Sequence, residues 1–174
     1  MPTWKHSMKS CVMNKNLRKE HNQNLLQRKK GLSITKCFKH IIRLDNSHIP
    51  LEIRDQESDG NVLLEFSDGT FLFFAGITED GGWLKIENNL DVYNNDRSMF
   101  TNISTNDFWQ SILNLEIVDI IELEYDNNWQ LNTYCVRFTL ANKNAFEISY
   151  QSETAYDCDT TIIRPYPTLI GSFQ

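Results

Sequence analysis

Two short stretches bring together side chains that could do chemistry. Asp157-Cys158-Asp159 sets two carboxylates on one side of an extended chain with a thiol between them. Those are the residue types of a metal ligand set or of an acid beside a nucleophile. Glu79 and Asp80 form a second adjacent acid pair, but Gly81 and Gly82 follow, and that composition belongs to a turn. The histidines are His6, His21, His40 and His48, and none is near Cys135 or Cys158 in sequence. Neither of those two thiols therefore has a base beside it along the chain. Cys11, Cys37, Cys135 and Cys158 are scattered without CxxC or zinc-ligand spacing, and free thiols are expected. No GxSxG, P-loop, HExxH or dinucleotide fingerprint appears. Solvated loop acids account for Asp157 and Asp159 more simply than a site does. The expectation is a protein that is not an enzyme, with no metal and no cofactor.

Charge carries the larger signal. Residues 1 to 43 hold eleven of the seventeen Lys and Arg and one acid, Glu20, whereas residues 44 to 174 hold six basic residues and twenty-two acids. The net charge of −6 is thus a basic leader followed by an acidic body. Asp55, Glu57, Asp59, Glu116, Asp119, Glu122, Glu124 and Asp126 cluster in and before two acidic turns. Carboxylates held on a rigid sheet steer a cationic partner. Asp55, Glu57, Asp59, Glu122, Glu124 and Asp126, with Tyr125 and Trp129 as apolar anchors, form the expected partner-binding surface. The plainer explanation of these acids is solubility. Lys29, Lys30, Lys36, Lys39 and Arg43 form a basic patch, and phosphate binding there is the alternative, with affinity falling as salt rises. The plainer reading of this patch is a solvated face, or one lying against the protein's own acids.

These residues need elements to hold them. SITKCFKHIIRLD (residues 33 to 45) aligns with STNDFWQSILNLE (residues 104 to 116), Phe38 meeting Trp109 and Ile41 meeting Ile112. Helical spacing gathers the apolar residues of each on one stripe, so two helices are expected, each with a serine cap. A strand follows each, at 48 to 54 and 117 to 125, then an acidic turn and a hairpin. In EFSDGTFLFF, a two-residue Asp68-Gly69 turn pairs Phe66 with Phe71 and Leu64 with Phe73. Apolar residues on both faces imply that this hairpin is buried on both sides. In VRFTLANKNAFEISY, a loop at Asn142-Lys143-Asn144 pairs Leu140 with Phe146, and alternation implies one wet face. Fourth strands fall near 83 to 87 and 160 to 164. Pro165 and Pro167 exclude a helix at the end.

The expected fold class is therefore α+β, a tandem duplication of a helix plus a four-stranded antiparallel meander. Two αββββ repeats, 33–90 and 104–165, share one core within a single domain spanning 33–174. Residues 1–32 read as a basic flexible tail or a loose helix ending at Gly31. The longest apolar run, Phe71 to Ile77, is far short of the ~18 residues of a membrane span. The basic N-terminus has no apolar stretch of the signal-peptide kind, which implies no membrane and a cytoplasmic location.

In size, acidity and lack of catalytic residues over residues 33 to 174, the chain resembles the small intracellular immunity proteins of bacterial toxin systems. That resemblance implies a non-enzymatic acidic protein that binds a cationic toxin, such as a nuclease, and neutralises it by occlusion. The repeated unit is also similar in layout to the Whirly and Pur-type nucleic-acid-binding folds. That layout, with the basic tail and first helix, carries the alternative of a nucleic-acid-binding protein.

Overall fold

The computed structural model describes residues 5–40, 60–77, 83–89, 100–127, 130–151 and 160–166. A helix, α1 (Lys5–Gln27), leads four strands: β1 (Ile34–Lys39), β2 (Val62–Phe66), β3 (Phe71–Ile77) and β4 (Trp83–Glu87). A two-residue strand, β5 (Thr101–Asn102), precedes a short helix, α2 (Asp107–Gln110). Then come β6 (Ile117–Asn127), β7 (Gln130–Leu140), β8 (Ala145–Gln151) and β9 (Thr160–Tyr166). The first sheet runs β4-β3-β2-β1-β5 and the second β6-β7-β8-β9, with every pairing antiparallel. The molecule is α+β in outline, with both fourth strands where the sequence places them. None of its described helices is long and apolar enough to cross a membrane.

The sheets pack face to face, β3 against β8 and β9, and β4 against β7 and β8. Between them Phe138 and Phe146 stack at 4.9 Å, Phe74 meets Phe138 edge-on at 6.2 Å, and Trp109 meets Phe146 at 5.6 Å. Such offset and edge-on geometry is what the ring quadrupoles favour. Leu63, Phe73, Ala75 and Phe100 form a second buried cluster on the other face of the first sheet, with Phe38 and Phe71 against it. The β2–β3 hairpin is thus buried on both sides, as its composition implies.

Three sequence expectations are corrected. Over Ile34–Lys39 the expected first helix is strand β1, and residues 41 to 45 of that stretch lie outside the described residues. A register shift between Ile34 and Lys36 returns Cys37 to the core side, so the apolar positions acquire a helix-like spacing inside an extended chain. Neither serine is a cap: Ser33 pairs with Glu116, and the second expected helix is the single turn Asp107–Gln110 with Asn106 at its N-cap, while Ser104 Oγ bonds the Cys37 backbone. Second, of the two readings of residues 1–32, a flexible tail or a loose helix ending at Gly31, the helix is the one found, as α1 over Lys5–Gln27. Asn22, Leu25, Leu26 and Lys29 are buried at i, i+3, i+4 and i+7. Two of those four are polar, which hides the buried face from a hydrophobicity pattern. Third, both hairpin registers differ. Phe66 N–H donates to Thr70 C=O and Gly69 N–H to Phe66 C=O, each at 2.9 Å, with Gly69 at φ +78°. This is a three-residue loop with a left-handed third residue. It pairs Leu64 with Leu72 and Leu63 with Phe73, one step from the expected register. With apolar residues on both faces, a one-step slip exposes nothing, so the turn decides. Leu140 N–H to Asn144 C=O (2.8 Å) and Lys143 N–H to Leu140 C=O (2.9 Å) build the same loop, with Lys143 at φ +70°. There Phe138 pairs with Phe146, a shift of two that keeps every side chain on its face. Expected strand residues 48 to 54 lie outside the described residues.

The two halves meet at a reciprocal junction. Gly31 N–H donates to Ile117 C=O at 2.9 Å, and Asn114 N–H donates to Ile34 C=O at 2.8 Å. Both donors are left-handed, at φ +81° and +62°, and follow the turn that ends a helix. Each acceptor opens the other half's first strand. Donors and acceptors alike lie 83 residues apart in sequence. The next contacts repeat as well: Ser67 N–H to Ser33 C=O and Ala141 N–H to Glu116 C=O, both 2.9 Å.

Close approach of the sheets needs a missing side chain at Gly76. A Cβ there would sit 2.9 Å from Cδ2 of buried Tyr150 and 3.4 Å from Thr161 Oγ1. Gly76→Ala should lower stability by about 1–3 kcal/mol through overpacking. Adding Tyr150→Leu should restore part of that loss in the same denaturant titration, and a neutral Gly76→Ala would contradict this packing.

Candidate functional site

The acidic strand β6 and the basic helix α1 lie against each other. Along β6, Ile120, Glu122 and Glu124 stand opposite Phe138, Val136 and Tyr134, the core side of β7. Asp119, Ile121 and Leu123 stand opposite Thr139, Arg137 and Cys135 on the other side. The core side of β6 is where α1 packs. Lys19 Nζ meets Glu124 Oε1 at 3.0 Å, and Lys30 Nζ meets Asp119 Oδ1 at 2.7 Å. On β4, His21 Nε2 lies 3.4 Å from Glu87 Oε2, and the Arg18 guanidinium sits 4.5 Å from the Trp83 ring centre.

Asn22 is the polar centre of this contact. Its Nδ2 donates to Leu84 C=O at 3.1 Å, and Ile86 N–H donates to its Oδ1 at 3.3 Å. One side-chain amide thereby satisfies a donor and an acceptor on the β4 backbone, as a neighbouring strand would. Asn22 Nδ2 also donates to Tyr134 Oη at 3.3 Å, and Tyr134 donates its hydroxyl proton to Glu122 Oε2. Glu122 Oε1 is buried with no hydrogen-bond partner among the described residues. Burial raises the Glu122 carboxyl above its ordinary value; the Tyr134 bond and Lys19 pull it back only in part. Burial, then the Glu122 bond, also raises the Tyr134 phenol. Lys30 donates to the largely exposed Asp119 and holds its carboxyl low.

The expected partner surface is therefore divided. Glu122 and Glu124 face the helix. Tyr125 pairs with Thr133, one register step from the two glutamates; of Tyr125 and Asp126 the backbone alone is described. Asp55, Glu57, Asp59 and Trp129 lie outside the described residues. The alternative basic patch is largely spoken for. Lys29 is buried, bonding Thr70 Oγ1, with Asp68 at 4.0 Å and the Phe66 ring centre at 5.0 Å. Burial is the largest influence on its ammonium and lowers its pKa. Lys36 meets Glu65 at 3.4 Å, Lys39 is fully buried, and Arg43 lies outside the described residues. The sequence reading missed Asn22, Lys19, Tyr134 and the exposed Val118 and Ile121. The i, i+3, i+4 spacing of Asn22, Leu25 and Leu26 is the one signal that could have found the helix face.

The stretches singled out for chemistry build no described centre. Residues 157 to 159, Glu79, Asp80 and His48 lie outside the described residues. His40 packs on Phe100 at 5.7 Å. Cys37 and Cys135 are buried thiols, and burial raises that of Cys37. Among the described residues no group of three or more His, Cys, Asp or Glu could hold a metal ion. Comparison with protein-family models, curated proteins and solved structures found no match to this chain.

Two outcomes test this contact. Asn22→Ala leaves Leu84 C=O and Ile86 N–H without their partner, and should cost about 1–3 kcal/mol while speeding amide exchange at Ile86. Unchanged exchange at Ile86 would contradict the edge-sealing role. A carboxyl whose folded-state pKa is raised contributes fully below its unfolded pKa, and that contribution is lost as pH rises through the raised value. Stability should therefore fall across the window that starts at the ordinary glutamate value, and Glu122→Gln should remove that fall. An identical pH profile in the variant would contradict it.

Proposed function

We propose that this chain is a non-enzymatic binding protein whose β6 region engages a basic protein, as an immunity protein does when it occludes a cationic toxin. The observation that carries the reading is the pairing of β6 acids with the chain's own lysines, Lys19 to Glu124 and Lys30 to Asp119. These carboxylates already hold ammonium groups, and Val118 and Ile121 stand exposed at 49% and 37% beside them. Apolar residues next to carboxylates suit a partner that brings both charge and contact area. Phosphate binding by the basic patch has less support, since Lys29 and Lys39 are buried within the fold.

We also infer that the two halves are copies of one helix-plus-four-strand unit, the first copy led by α1. The support is the pair of four-strand meanders, the two identical hairpin loops and the matched junction bonds. A duplicated unit presents its features twice, which bears on where a partner sits.

The test is to read the neighbouring genes for a toxin and to co-express this chain with the one found. Growth should be rescued, the complex should weaken as salt rises, and Asp119→Lys with Glu124→Lys should reduce rescue. A gene neighbourhood with no toxin, no rescue, or rescue indifferent to the charge reversals would overturn the reading.

A further inference from the structure

We propose that the part of α1 before Leu25 is a hinged strap latched by Glu122: with Glu122 neutral the strap lies on β4 and β6, and ionisation of Glu122 lifts it while the rest of the fold stays closed. Such a motion belongs to the fold itself and requires no partner at β6. The latch is the point where α1, β4, β6 and β7 converge. Asn22 joins Leu84 C=O and Ile86 N–H of β4 to the Tyr134 hydroxyl, and Tyr134 donates to Glu122 Oε2. Glu122 Oε1 is buried in this contact with no hydrogen-bond partner among the described residues. A neutral carboxyl tolerates such a place. A carboxylate does not, because an ion taken out of water needs its remaining lone pairs bonded.

The groups around Glu122 do not remove this cost. From β7, Tyr134 donates to it; from α1, Lys19 attracts it but lies 3.0 Å from Glu124; and from β6, Glu124 opposes its ionisation. From β4, Glu87 meets His21 Nε2 and Lys85 Nζ, each at 3.4 Å, and Arg18 lies over Trp83. Burial outweighs these influences and holds the Glu122 carboxyl above its ordinary value. The closed strap is therefore fully favoured below the carboxyl's value in the open form, and loses ground as pH rises through the higher closed value. One proton is involved, so opening grows by about tenfold per pH unit at most. Two features let the strap move alone. Glu122 and Tyr134 are held by the β6–β7 ladder, a set of backbone pairs that does not involve α1. The helix is anchored only past Asn22: Leu25 and Leu26 join the main core, Lys29 is buried against Thr70 and Phe66, and Gly31 N–H is bonded to Ile117 C=O. From Asn16 to His21 no side chain is buried, and Leu17 is 58% exposed. The hinge thus falls between Asn22 and Leu25, and opening uncovers Glu122 and the β4 backbone.

The test is residue-resolved amide exchange of the full chain as pH rises from the ordinary glutamate value, corrected for intrinsic rates, with the Glu122 carboxyl carbon signal followed alongside. Ile86 N–H, which donates to Asn22 Oδ1, reports from the sheet, and the helix amides of His21, Asn22 and Gln23 report from the strap. All four should lose protection, by about tenfold per pH unit at most, over the range in which the carboxyl signal titrates. Gly31 and Phe74 should keep theirs. Glu122→Gln should hold the strap shut and flatten the response. His21→Gln should leave the response in place, which separates the latch from the His21–Glu87 pair. Should Glu122→Gln fail to fold, coincidence of the carboxyl titration with Ile86 exchange in the unaltered chain decides alone. Protection at Ile86 that ignores pH or does not follow the carboxyl signal would overturn the latch. So would an unchanged response in Glu122→Gln, its loss in His21→Gln, or loss of protection at Gly31 and Phe74 together with Ile86.

Discussion

The architecture depends on the reciprocal junction between the halves. The turn after each helix closes on a left-handed residue whose N–H reaches the first residue of the other half's leading strand, Gly31 to Ile117 and Asn114 to Ile34. A glycine or asparagine adopts that backbone at little cost, and a β-branched residue does not. Once these two bonds are made, the direction of each helix and the start of each sheet are set together. The face-to-face packing of β3 and β4 on β7, β8 and β9 follows from that alignment, and the close approach at Gly76 is its tightest point.

The junction also decides where charge is spent. It brings the basic α1 alongside the acidic β6, so two opposite-charge surfaces become one internal contact. Lys19 and Lys30 sit on carboxylates at the surface, where such pairs contribute modestly. The buried part of the contact is different in kind. Asn22 seals the β4 backbone and joins it through Tyr134 to Glu122, and a partly satisfied carboxylate in that position is expensive unless protonated or bonded. The helix is therefore held by shape and hydrogen bonding more than by its charges. The side of β6 turned away from the core keeps Val118 and Ile121 exposed.

Much of the second sheet was legible in sequence because its strands alternate. Val136, Phe138, Phe146 and Ile148 are buried and Arg137 pairs with Glu147 on the opposite face at 2.7 Å, although Glu147 and Ser149 are more covered than a wet face implies. The buried character of the β2–β3 hairpin was legible too, but not its register, since a strand apolar on both sides carries no phase. β1 was read as a helix because its register shift breaks period two between Ile34 and Lys36. Residues 1–32 stayed between a tail and a loose helix because polar residues, Asn22 within α1 and Lys29 in the turn after it, stand among Leu25 and Leu26 on the buried side. Of the candidate site, the acids of β6 were found and their orientation was not. Facing depends on pairing with β7, and neighbouring positions Glu124 and Tyr125 fall on different register steps.

The most direct test of this account is native-state amide exchange at Gly31 and Asn114 as a function of denaturant. The account predicts that both amides exchange only through global unfolding, with the same free energy as core amides such as Phe74 and Phe138. Exchange of either one through a local opening that denaturant does not affect, while the other stays protected, would contradict it.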